Sequence, residues 1–522
     1  MKLAKSRLGY VISLLLAMAL LISACASGNN GAGEGSADAS QAPATQSSPA
    51  ASDSSKAPEL EPVTLSFFVP GVPQKDQQLV NDEISKYLKD KINVKLELEV
   101  IDWGSWQDKM QLKFTSNEQF DMFLAMSWDN FLQKVTNNFI IPLDDLMAEY
   151  AQEAVDQLDP KVLKGVKVDG KTYGFPTNKE FAGSKGVLLR KDMVDKYNFD
   201  ISTVKEAKDL EPFFQVIKEK EPGMIPFLSG KDVGLNIAVQ ENDFSSAGAV
   251  GKNLGTMDRS TPDRKLIDIH TDPRYIDMLK LSHEWYKKGY INQDAPTLSD
   301  FAGTYRSGKV FAFSDSLKPG KDAEVSAASG YEWVQIELSK PIITTSSTRG
   351  NMISISRTSK NPERAMMFIN LLHTDKTLVN MIAFGLEGKH YVKVGENTID
   401  YPQGVTAQNS GYALGAPYMF GNQFNDYLWA NEDPQKWEKF AEFNAVADES
   451  KDLGFVFDNE SVKNELAAYN NKIKELLPGL ITGAVDPEVY LPKMVDELKA
   501  AGMDKINDEI QKQLDAWVAQ GN

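Results

Sequence analysis

The sequence predicts an α/β fold, because strand and helix patterns alternate along the chain from residue 63 onward. Residues 63–69 are rich in β-branched and aromatic side chains, which is typical of a strand. Apolar residues then recur at helical spacing over 79–92, and apolar and polar residues alternate with a period of two over 94–100. The order strand, helix, strand predicts a parallel βαβ unit at the start of the folded region.

The same alternation continues beyond this first unit. A helical pattern begins at Trp106, and residues 120–126 form a short apolar run that is typical of a buried strand. Further helices are predicted from Asp129 and from Pro142. Strands that are joined by helices in this way form a parallel sheet, so their carboxyl ends should lie along one edge.

Two of the predicted strands are followed directly by segments that contain tryptophan, residues 102–106 and 127–129. In open α/β sheets, ligands bind at the carboxyl ends of the strands. Trp103 and Trp128 are therefore candidate platforms for a ligand, with an ordinary core or rim position as the alternative for each. Trp106 ranks behind them, because it lies three residues further on and should face the core of its own helix.

The N-terminal segment has the features of a secretory signal peptide, predicted over residues 1–24. Its first seven residues carry three positive charges, and residues 11–22 form an almost unbroken apolar run. This run is shorter than the roughly 20 apolar residues that are needed to span a bilayer. A basic start, a short apolar run and small residues at the end are typical of a secreted protein.

The signal ends in Ile22-Ser23-Ala24-Cys25, which resembles the bacterial lipobox. The resemblance implies a diacylglyceryl group on the Cys25 thiol, cleavage before Cys25 and acylation of the freed amine. Two or more acyl chains suffice for stable anchoring. Residues 26–58 contain no aromatic residue and no Leu, Ile, Val or Met, so residues 25–60 are predicted to be the lipidated cysteine and a disordered tether. The expected location is the extracytoplasmic face of the cell membrane, held by the lipid anchor only.

Composition and charge narrow the possible chemistry. Cys25 is the only cysteine, which excludes disulfides, CxxC redox chemistry and cysteine-ligated zinc. The formal net charge is −17, and loss of the signal peptide removes three cations and no acid, so the mature chain is still more acidic. Such a charge disfavours nucleic acid as a partner.

No common catalytic pattern occurs in the sequence. HExxH, G-x-S-x-G and a cysteine nucleophile are absent, and the four histidines show no ligand spacing. We therefore expect no catalytic residue, no metal and no cofactor, although a glycosidase-type pair of carboxylates stays possible among 73 acidic residues.

Residues 165–172 match the phosphate-binding pattern G-x-x-x-x-G-K-[ST]. A true P-loop leaves a strand and opens a helix. Here Val166 and Val168 alternate as in a strand, and Asp169-Gly170 is a preferred type I′ turn. The segment is therefore predicted to be a β-hairpin.

Several stretches resemble a known protein family, and they occur in a characteristic order. They are KVDGKTYGFPTNKEFAGSKGVLLRKDMVDKYNFD (167–200), DPRYIDMLKLSHEWYKKGYINQDAP (272–296), SGKVFAFSD (307–315) and NMISISRTSKNPERAMMFINLLHTDK (351–376). Together they resemble family 1 extracellular solute-binding proteins, the binding subunits of ABC importers for sugars. FGLEGKHY (384–391) and residues 491–517 are similar to a lipoprotein subgroup of Bacillus and Paenibacillus relatives.

The resemblance implies an α/β, two-lobed periplasmic-binding-protein-like fold with hinged crossings and a ligand cleft between the lobes. Residues 61–178 and 346–400 would form the first lobe, and 179–345 and 401–522 the second. The implied function is that of a lipid-anchored extracellular substrate-binding protein of an ABC importer, not an enzyme. It would bind a sugar or oligosaccharide by hinge closure, act as a monomer and deliver its ligand to the permease subunits.

Two other classes of function stay open at this point. One is a surface glycan-active enzyme, such as a glycosidase or lyase. The other is a binding protein or sensor receptor for a peptide or another non-sugar solute.

A sugar site needs aromatic rings for the C–H face of a pyranose and polar side chains for its hydroxyl groups. The candidate ligand-binding residues are Trp103, Trp128, Asn178, Glu180, Asp315, Arg349, Asn351, Glu387 and Tyr418. Arg349 has the alternative role of bridging the lobes. Tyr391 is a further candidate beside Glu387, and the aromatic stretch with Tyr412, Phe420 and Trp429 is either a cleft wall or a packed loop.

Overall fold

The computed structural model describes residues 60–521. The predicted signal peptide, the Cys25 lipidation site and all but the last residue of the predicted tether lie outside this range. Among the residues described, no helix combines the length and the apolar character that crossing a membrane requires.

Strands and helices alternate along the described part of the chain. The strands are β1 (Val63–Gly71), β2 (Val94–Asp102), β3 (Met122–Ala125), β4 (Phe175–Pro176), β5 (Ser184–Arg190), β6 (Ile225–Leu228), β7 (Phe244–Ser246), β8 (Thr256–Asp258), β9 (Val310–Leu317), β10 (Trp333–Glu337), β11 (Ile342–Ile343), β12 (Met352–Ile355), β13 (Val392–Lys393), β14 (Thr398–Asp400), β15 (Leu428–Trp429) and β16 (Asp448–Glu449). The α-helices are α1 (Gln77–Ile92), α2 (Trp106–Thr115), α3 (Phe131–Thr136), α4 (Asp144–Tyr150), α5 (Gln152–Val155), α6 (Pro160–Gly165), α7 (Lys191–Tyr197), α8 (Glu211–Lys220), α9 (Leu235–Ala238), α10 (Gln240–Asp243), α11 (Pro273–Lys287), α12 (Phe301–Arg306), α13 (Lys321–Ser329), α14 (Thr345–Thr348), α15 (Pro362–Thr374), α16 (Lys376–Phe384), α17 (Lys436–Ala445), α18 (Lys463–Ile481), α19 (Pro487–Ala500) and α20 (Met503–Ala519).

The first sheet has the strand order β2-β1-β3-β12-β4. β1 is parallel to β2, from Val63 opposite Val94 to Gly71 opposite Asp102, and it is also parallel to β3. β12 runs antiparallel to β3. The helix α1 connects β1 to β2 and ends at Asn93, whose left-handed backbone (φ 47°) closes the helix. The predicted parallel βαβ unit is therefore confirmed.

The second sheet has the order β10-β5-β9-β6. β5 is antiparallel to β10 and to β9, whereas β9 is parallel to β6. Three smaller sheets pair β11 with β16, β7 with β8, and β13 with β14 and β15. β14 and β15 are parallel neighbours.

Two large hydrophobic cores surround the two main sheets. Phe67 and Phe123 belong to the first core, and Phe227 and Trp285 to the second, which also receives α18, α19 and α20. Each core forms because the sheet buries apolar side chains against helices. The described residues therefore form two large hydrophobic cores.

Part of the segment between α16 and α18 packs in a different core from the one that the prediction assigned to it. The prediction assigns 401–522 to the second lobe, whereas Tyr412, Phe420, Phe443 and Leu453 pack in the first core. The Phe420 ring, for example, lies with its centroid 6.2 Å from that of Phe67. This segment is largely irregular, so no periodicity in the sequence indicated which sheet it covers.

The turn of the hairpin predicted at 165–172 is confirmed. Asp169 and Gly170 both have positive φ (50° and 77°), as a type I′ turn requires, and Val168 and Lys171 exchange two backbone hydrogen bonds of 2.8 and 3.0 Å. The segment before the turn differs from prediction, because α6 continues to Gly165 and Val166 caps it.

Candidate functional site

Trp103 and Trp128 lie side by side at the carboxyl edge of the first sheet. Trp103 opens a short 3-10 turn directly after β2, and the Asp102 carboxylate accepts the Gly104 N–H of that turn at 2.9 Å. Trp128 follows β3, and the two ring centroids are 6.4 Å apart with an interplanar angle of 32°. Trp103 is 43 % exposed and Trp128 55 % exposed. The edge therefore presents a pair of large aromatic surfaces to solvent.

A buried polar network supports the segment that carries Trp128. Trp106 is fully buried, and its indole N–H donates to Asp129 Oδ2 at 2.7 Å. Lys134 Nζ lies 3.1 Å from the same oxygen and also donates to the Asp129 carbonyl. Burial lowers the pKa of Lys134, although the charge of Asp129 acts against this. As expected from its position, Trp106 faces the core.

Arg349 is connected to the tryptophan segment through its backbone. The Ser127 N–H donates to the Arg349 carbonyl at 2.9 Å. The Arg349 side chain is buried, its Nη2 donates to the Lys167 carbonyl, and its Nε has no hydrogen-bond partner among the described residues.

The charges near Arg349 come from distant parts of the chain. Burial lowers its pKa to about 10, although the carboxylates of Asp169 and Asp452 act to raise it. Asp452 in turn accepts the Gly248 N–H at 3.0 Å. The two roles considered for Arg349, contact with a ligand and bridging of the lobes, both stay predictions.

Asn178 and Asn351 lie where the chain crosses out of the first sheet and returns to it. The Thr177 N–H donates to the Asn351 carbonyl at 3.1 Å, and the Asn178 N–H donates to the Gly421 carbonyl at 2.8 Å. The Asn178 side-chain amide donates to the Gln157 carbonyl at 3.1 Å. The Thr177–Asn351 hydrogen bond therefore joins the two crossings, whereas Asn178 connects the first crossing to the segment before α17.

Glu180 forms a charged cluster with two lysines, and Tyr418 lies beside this cluster. Glu180 is buried, and its Oε1 lies 3.2 Å from Lys318 Nζ and 3.3 Å from Lys179 Nζ. Burial acts to raise the pKa of Glu180, but the two lysines together lower it. Tyr418 is 38 % exposed beside this cluster, and burial raises its pKa. The sequence did not point to Lys318, which follows β9 and also pairs with Glu324 at 2.8 Å.

Asp315 and Glu387 each form an ion pair with a lysine. Asp315 lies near the end of β9 and pairs with Lys321 at 3.3 Å. Glu387 is exposed on the turn after α16 and pairs with Lys393 at 3.5 Å. Within residues 60–521, no hydrogen bond, ion pair or ring contact joins either side chain to the tryptophan pair.

Some residues of the aromatic stretch before α17 are buried as in a packed loop, and others are exposed as a cleft wall would require. Tyr412 and Phe420 are buried in the first core, as in a packed loop. Tyr418 is exposed and Trp429 is partly exposed. Tyr391, beside Glu387, is buried in a small separate cluster.

The loop after β1 is a part of this edge that the sequence interpretation missed. β1 lies between β2 and β3 and ends at Gly71, so Val72, which is exposed, emerges between the two tryptophan segments. Asp76 anchors the far end of the loop through Lys389 Nζ at 3.1 Å and His390 Nε2 at 3.2 Å. The hydrogen bond from Lys389 is the main cause of the lowered pKa of Asp76. The same strand-end rule that selected the tryptophans could have found this loop.

The candidate site therefore consists of an exposed aromatic pair on a rigid support. The charged cluster of Glu180, Lys179 and Lys318 is a separate group, and among the described residues no hydrogen bond, ion pair or ring contact joins it to the tryptophan pair. In the part of the chain that the structure describes, no group of three or more His, Cys, Asp or Glu side chains is arranged to hold a metal ion. The arrangement is suited to stacking against a flat, partly apolar ligand that also carries hydroxyl groups.

Comparison with known sequences gives matches over most of the chain. A sequence profile described as bacterial extracellular solute-binding protein matches residues 71–378, and a domain of unknown function, DUF3502, matches residues 451–519. The chain is 30 % identical over 450 residues to a carbohydrate ABC transporter substrate-binding protein of Streptococcus pneumoniae serotype 4. That match covers 85 % of this chain and 88 % of the relative.

Comparison with solved structures confirms the predicted fold class of two α/β lobes. The N-glycan transport solute binding protein NgtS from Streptococcus pneumoniae is 27 % identical, with a TM-score of 0.79 over 88 % of this chain and 100 % of NgtS. NgtS in complex with Man1GlcNAc gives a TM-score of 0.69, over 87 % of this chain and 99 % of NgtS. NgtS in complex with Man5GlcNAc gives 0.65, over 88 % of this chain and 100 % of NgtS.

Proposed function

The chain belongs to the bacterial extracellular solute-binding proteins, and from this premise we propose that it is the sugar- or oligosaccharide-binding subunit of an ABC importer. The permease subunits of the importer are its partners, and it works as a monomer without catalysing a reaction. The relatives named above, a carbohydrate-transporter subunit and an N-glycan-binding protein, support this choice of ligand.

The exposed pair of Trp103 and Trp128 is the observation that carries the proposal. Exposed indole rings at a rigid sheet edge are costly to leave in water, and the C–H face of a pyranose covers such a ring well. Burial of this aromatic surface contributes on the order of 1–3 kcal/mol to binding. Two rings with centroids 6.4 Å apart present an extended platform for one or two sugar units.

Polar side chains around the platform would bind the sugar hydroxyls. Tyr418 and Glu180 are the strongest of the predicted polar candidates, because Tyr418 is exposed and one Glu180 oxygen lacks a hydrogen-bond partner among the described residues. Asn178, Arg349 and Asn351 act mainly by holding the crossings in place. Asp315 and Glu387 are the remaining predicted ligand residues.

Ligand binding closes the two lobes about the crossings. The presence of two separate hydrophobic cores supports such a hinge. The three NgtS structures match this chain with TM-scores from 0.79 to 0.65 at nearly constant coverage, so the shape of NgtS itself differs between them. The two lobes have approximately the predicted bounds. The exception is that apolar side chains within 412–453 belong to the first lobe.

Acylation of Cys25 anchors the protein to the extracytoplasmic face of the membrane. The support for this step comes from the lipobox-like residues 22–25 and the tether composition. The domain would then diffuse near the membrane and deliver its ligand to the permease.

A thermal-shift screen over glycans and peptides tests the proposal. A ligand at about 100 times its Kd stabilises a protein by roughly 2.7 kcal/mol, so a true ligand raises the Tm measurably. We expect stabilisation by one class of glycan, with Man1GlcNAc and Man5GlcNAc as the first probes. Stabilisation by peptides alone, or turnover of a glycan during the assay, would contradict the proposal.

A further inference from the structure

We propose that the protein carries a second carbohydrate-binding site, formed by Tyr401 and Trp429 on the small three-stranded sheet. These two residues line an open cavity of about 510 Å³ together with Asp400, Ala430 and Asn431. This volume is within the range of small-molecule sites, about 300–1,000 Å³. The inference takes its ligand class from the proposed function and goes beyond it in placing a sugar outside the tryptophan pair.

The position of the cavity follows from the parallel pairing of β14 with β15. Ile399 lies opposite Trp429 in this pair, and the Ala430 N–H donates to the Ile399 carbonyl at 2.9 Å. Residues 400–401 and 429–431 therefore emerge at the same edge of the small sheet. Tyr401 directly follows β14 and Trp429 is the last residue of β15, whereas Trp103 and Trp128 lie beyond the ends of β2 and β3.

The two aromatic rings form a fixed platform. The Tyr401 and Trp429 rings stack with centroids 4.3 Å apart and an interplanar angle of 27°, and Phe384 meets Trp429 edge-on at 5.8 Å. The backbone N–H of Trp429 also donates to Glu432 Oε2 at 2.9 Å, which holds the main chain at this position. Because these contacts orient the rings before a ligand arrives, little ordering entropy would be lost on binding.

The rim of the cavity supplies polar groups for hydroxyls. One Asp400 oxygen accepts the Tyr401 N–H at 2.7 Å. Within residues 60–521, the other Asp400 oxygen, the Tyr401 hydroxyl and the Asn431 amide make no hydrogen bond. Burial, together with the Asp400 charge, raises the pKa of Tyr401, so its hydroxyl stays a donor. The aromatic face suits the C–H face of a pyranose ring, and the neighbouring donors and acceptors suit its hydroxyl groups.

The second site is separate from the tryptophan pair. It belongs to a different sheet, and no hydrogen bond or ring contact of the described residues links Tyr401 or Trp429 to Trp103 or Trp128. We therefore expect it to bind independently.

Fluorine NMR of 5-fluorotryptophan-labelled protein, titrated with Man5GlcNAc, tests the inference. The chain has eight tryptophans, and Trp→Phe variants at positions 103, 128 and 429 assign the three resonances that matter. The Trp429 resonance should shift saturably in the wild type and equally in the Trp103→Ala, Trp128→Ala double variant. Tyr401→Ala should weaken this response at least tenfold, and Tyr490→Ala, which removes an exposed tyrosine elsewhere, should not.

Each outcome separates this inference from the proposed function. An unmoved Trp429 resonance would overturn the second site, and so would a shift that disappears in the double variant, because it would then only report lobe closure. Unmoved Trp103 and Trp128 resonances would contradict the principal site, whatever Trp429 does. Tyr401→Phe keeps the stacked ring, so Trp429 should still respond in this variant even if Tyr401→Ala disturbs the small sheet.

Discussion

Replacement of Trp128 by alanine should weaken glycan binding and leave the ligand-free protein nearly as stable as the wild type. A tryptophan side chain presents roughly 250 Å², and Trp128 is 55 % exposed, which leaves roughly 140 Å² in water. A sugar that covers one ring face removes about half of this area. At about 25–30 cal/mol per Å² the loss is about 2 kcal/mol, which corresponds to a roughly 20-fold increase in Kd.

Trp106 supplies the matched control for this experiment. It is the same residue type on the neighbouring turn, but it is fully buried and its indole N–H donates to Asp129. Trp106→Ala should therefore cost about 3–5 kcal/mol of unfolding free energy. Calorimetric titration with a glycan gives the Kd, and denaturant unfolding without ligand gives the stability.

Trp128 is not part of the glycan site if Trp128→Ala binds the glycan with unchanged affinity. The same conclusion follows if Trp128→Ala destabilises the free protein as much as Trp106→Ala does, because Trp128 would then be part of the core.

Four further predictions concern charge, the hinge and the anchor. Burial raises the pKa of Asp426 well above its ordinary value, so its contribution to stability is present at low pH and is lost as the pH rises through the raised pKa. Asp426→Asn should then raise the Tm more at about pH 8 than at about pH 4, and an equal effect at both pH values would contradict this. Lys318→Met should cost about 3 kcal/mol, because it removes one partner of the buried Glu180. The Glu180→Gln, Lys318→Met double variant should regain part of this loss in denaturant unfolding, and no recovery would argue against the pair. Small-angle scattering should show a smaller radius of gyration at saturating glycan, whereas an unchanged radius would argue for a rigid molecule. Mass spectrometry of membrane-extracted protein should show acylated Cys25, Cys25→Ala should abolish that mass, and an unmodified wild-type cysteine would refute the anchor.

Local features of the fold could be predicted from the sequence because they depend on neighbouring residues. The period-two pattern of β2 and the helical spacing of α1 each lie within one short segment. The turn at Asp169-Gly170 follows from the conformational preferences of two residues. The positions of Trp103 and Trp128 follow from a general rule about the ends of parallel strands.

Long-range features of the site could not be predicted in this way. Glu180 and Lys318 are 138 positions apart, and nothing in either local sequence indicates that they pair. The same holds for Arg349, whose burial is set by segments far away in the sequence. The small sheet with Tyr401 and Trp429 is built from strands of two or three residues, which are too short to show a periodic pattern.

A crystal structure of the protein with a glycan from the ligand screen would show whether the tryptophan pair binds sugar. We expect electron density for a sugar ring stacked on Trp103, on Trp128 or on both, with Tyr418 or Glu180 within hydrogen-bond distance of a hydroxyl. A glycan bound between the lobes without contact to either tryptophan, or bound only elsewhere on the protein, would contradict this expectation.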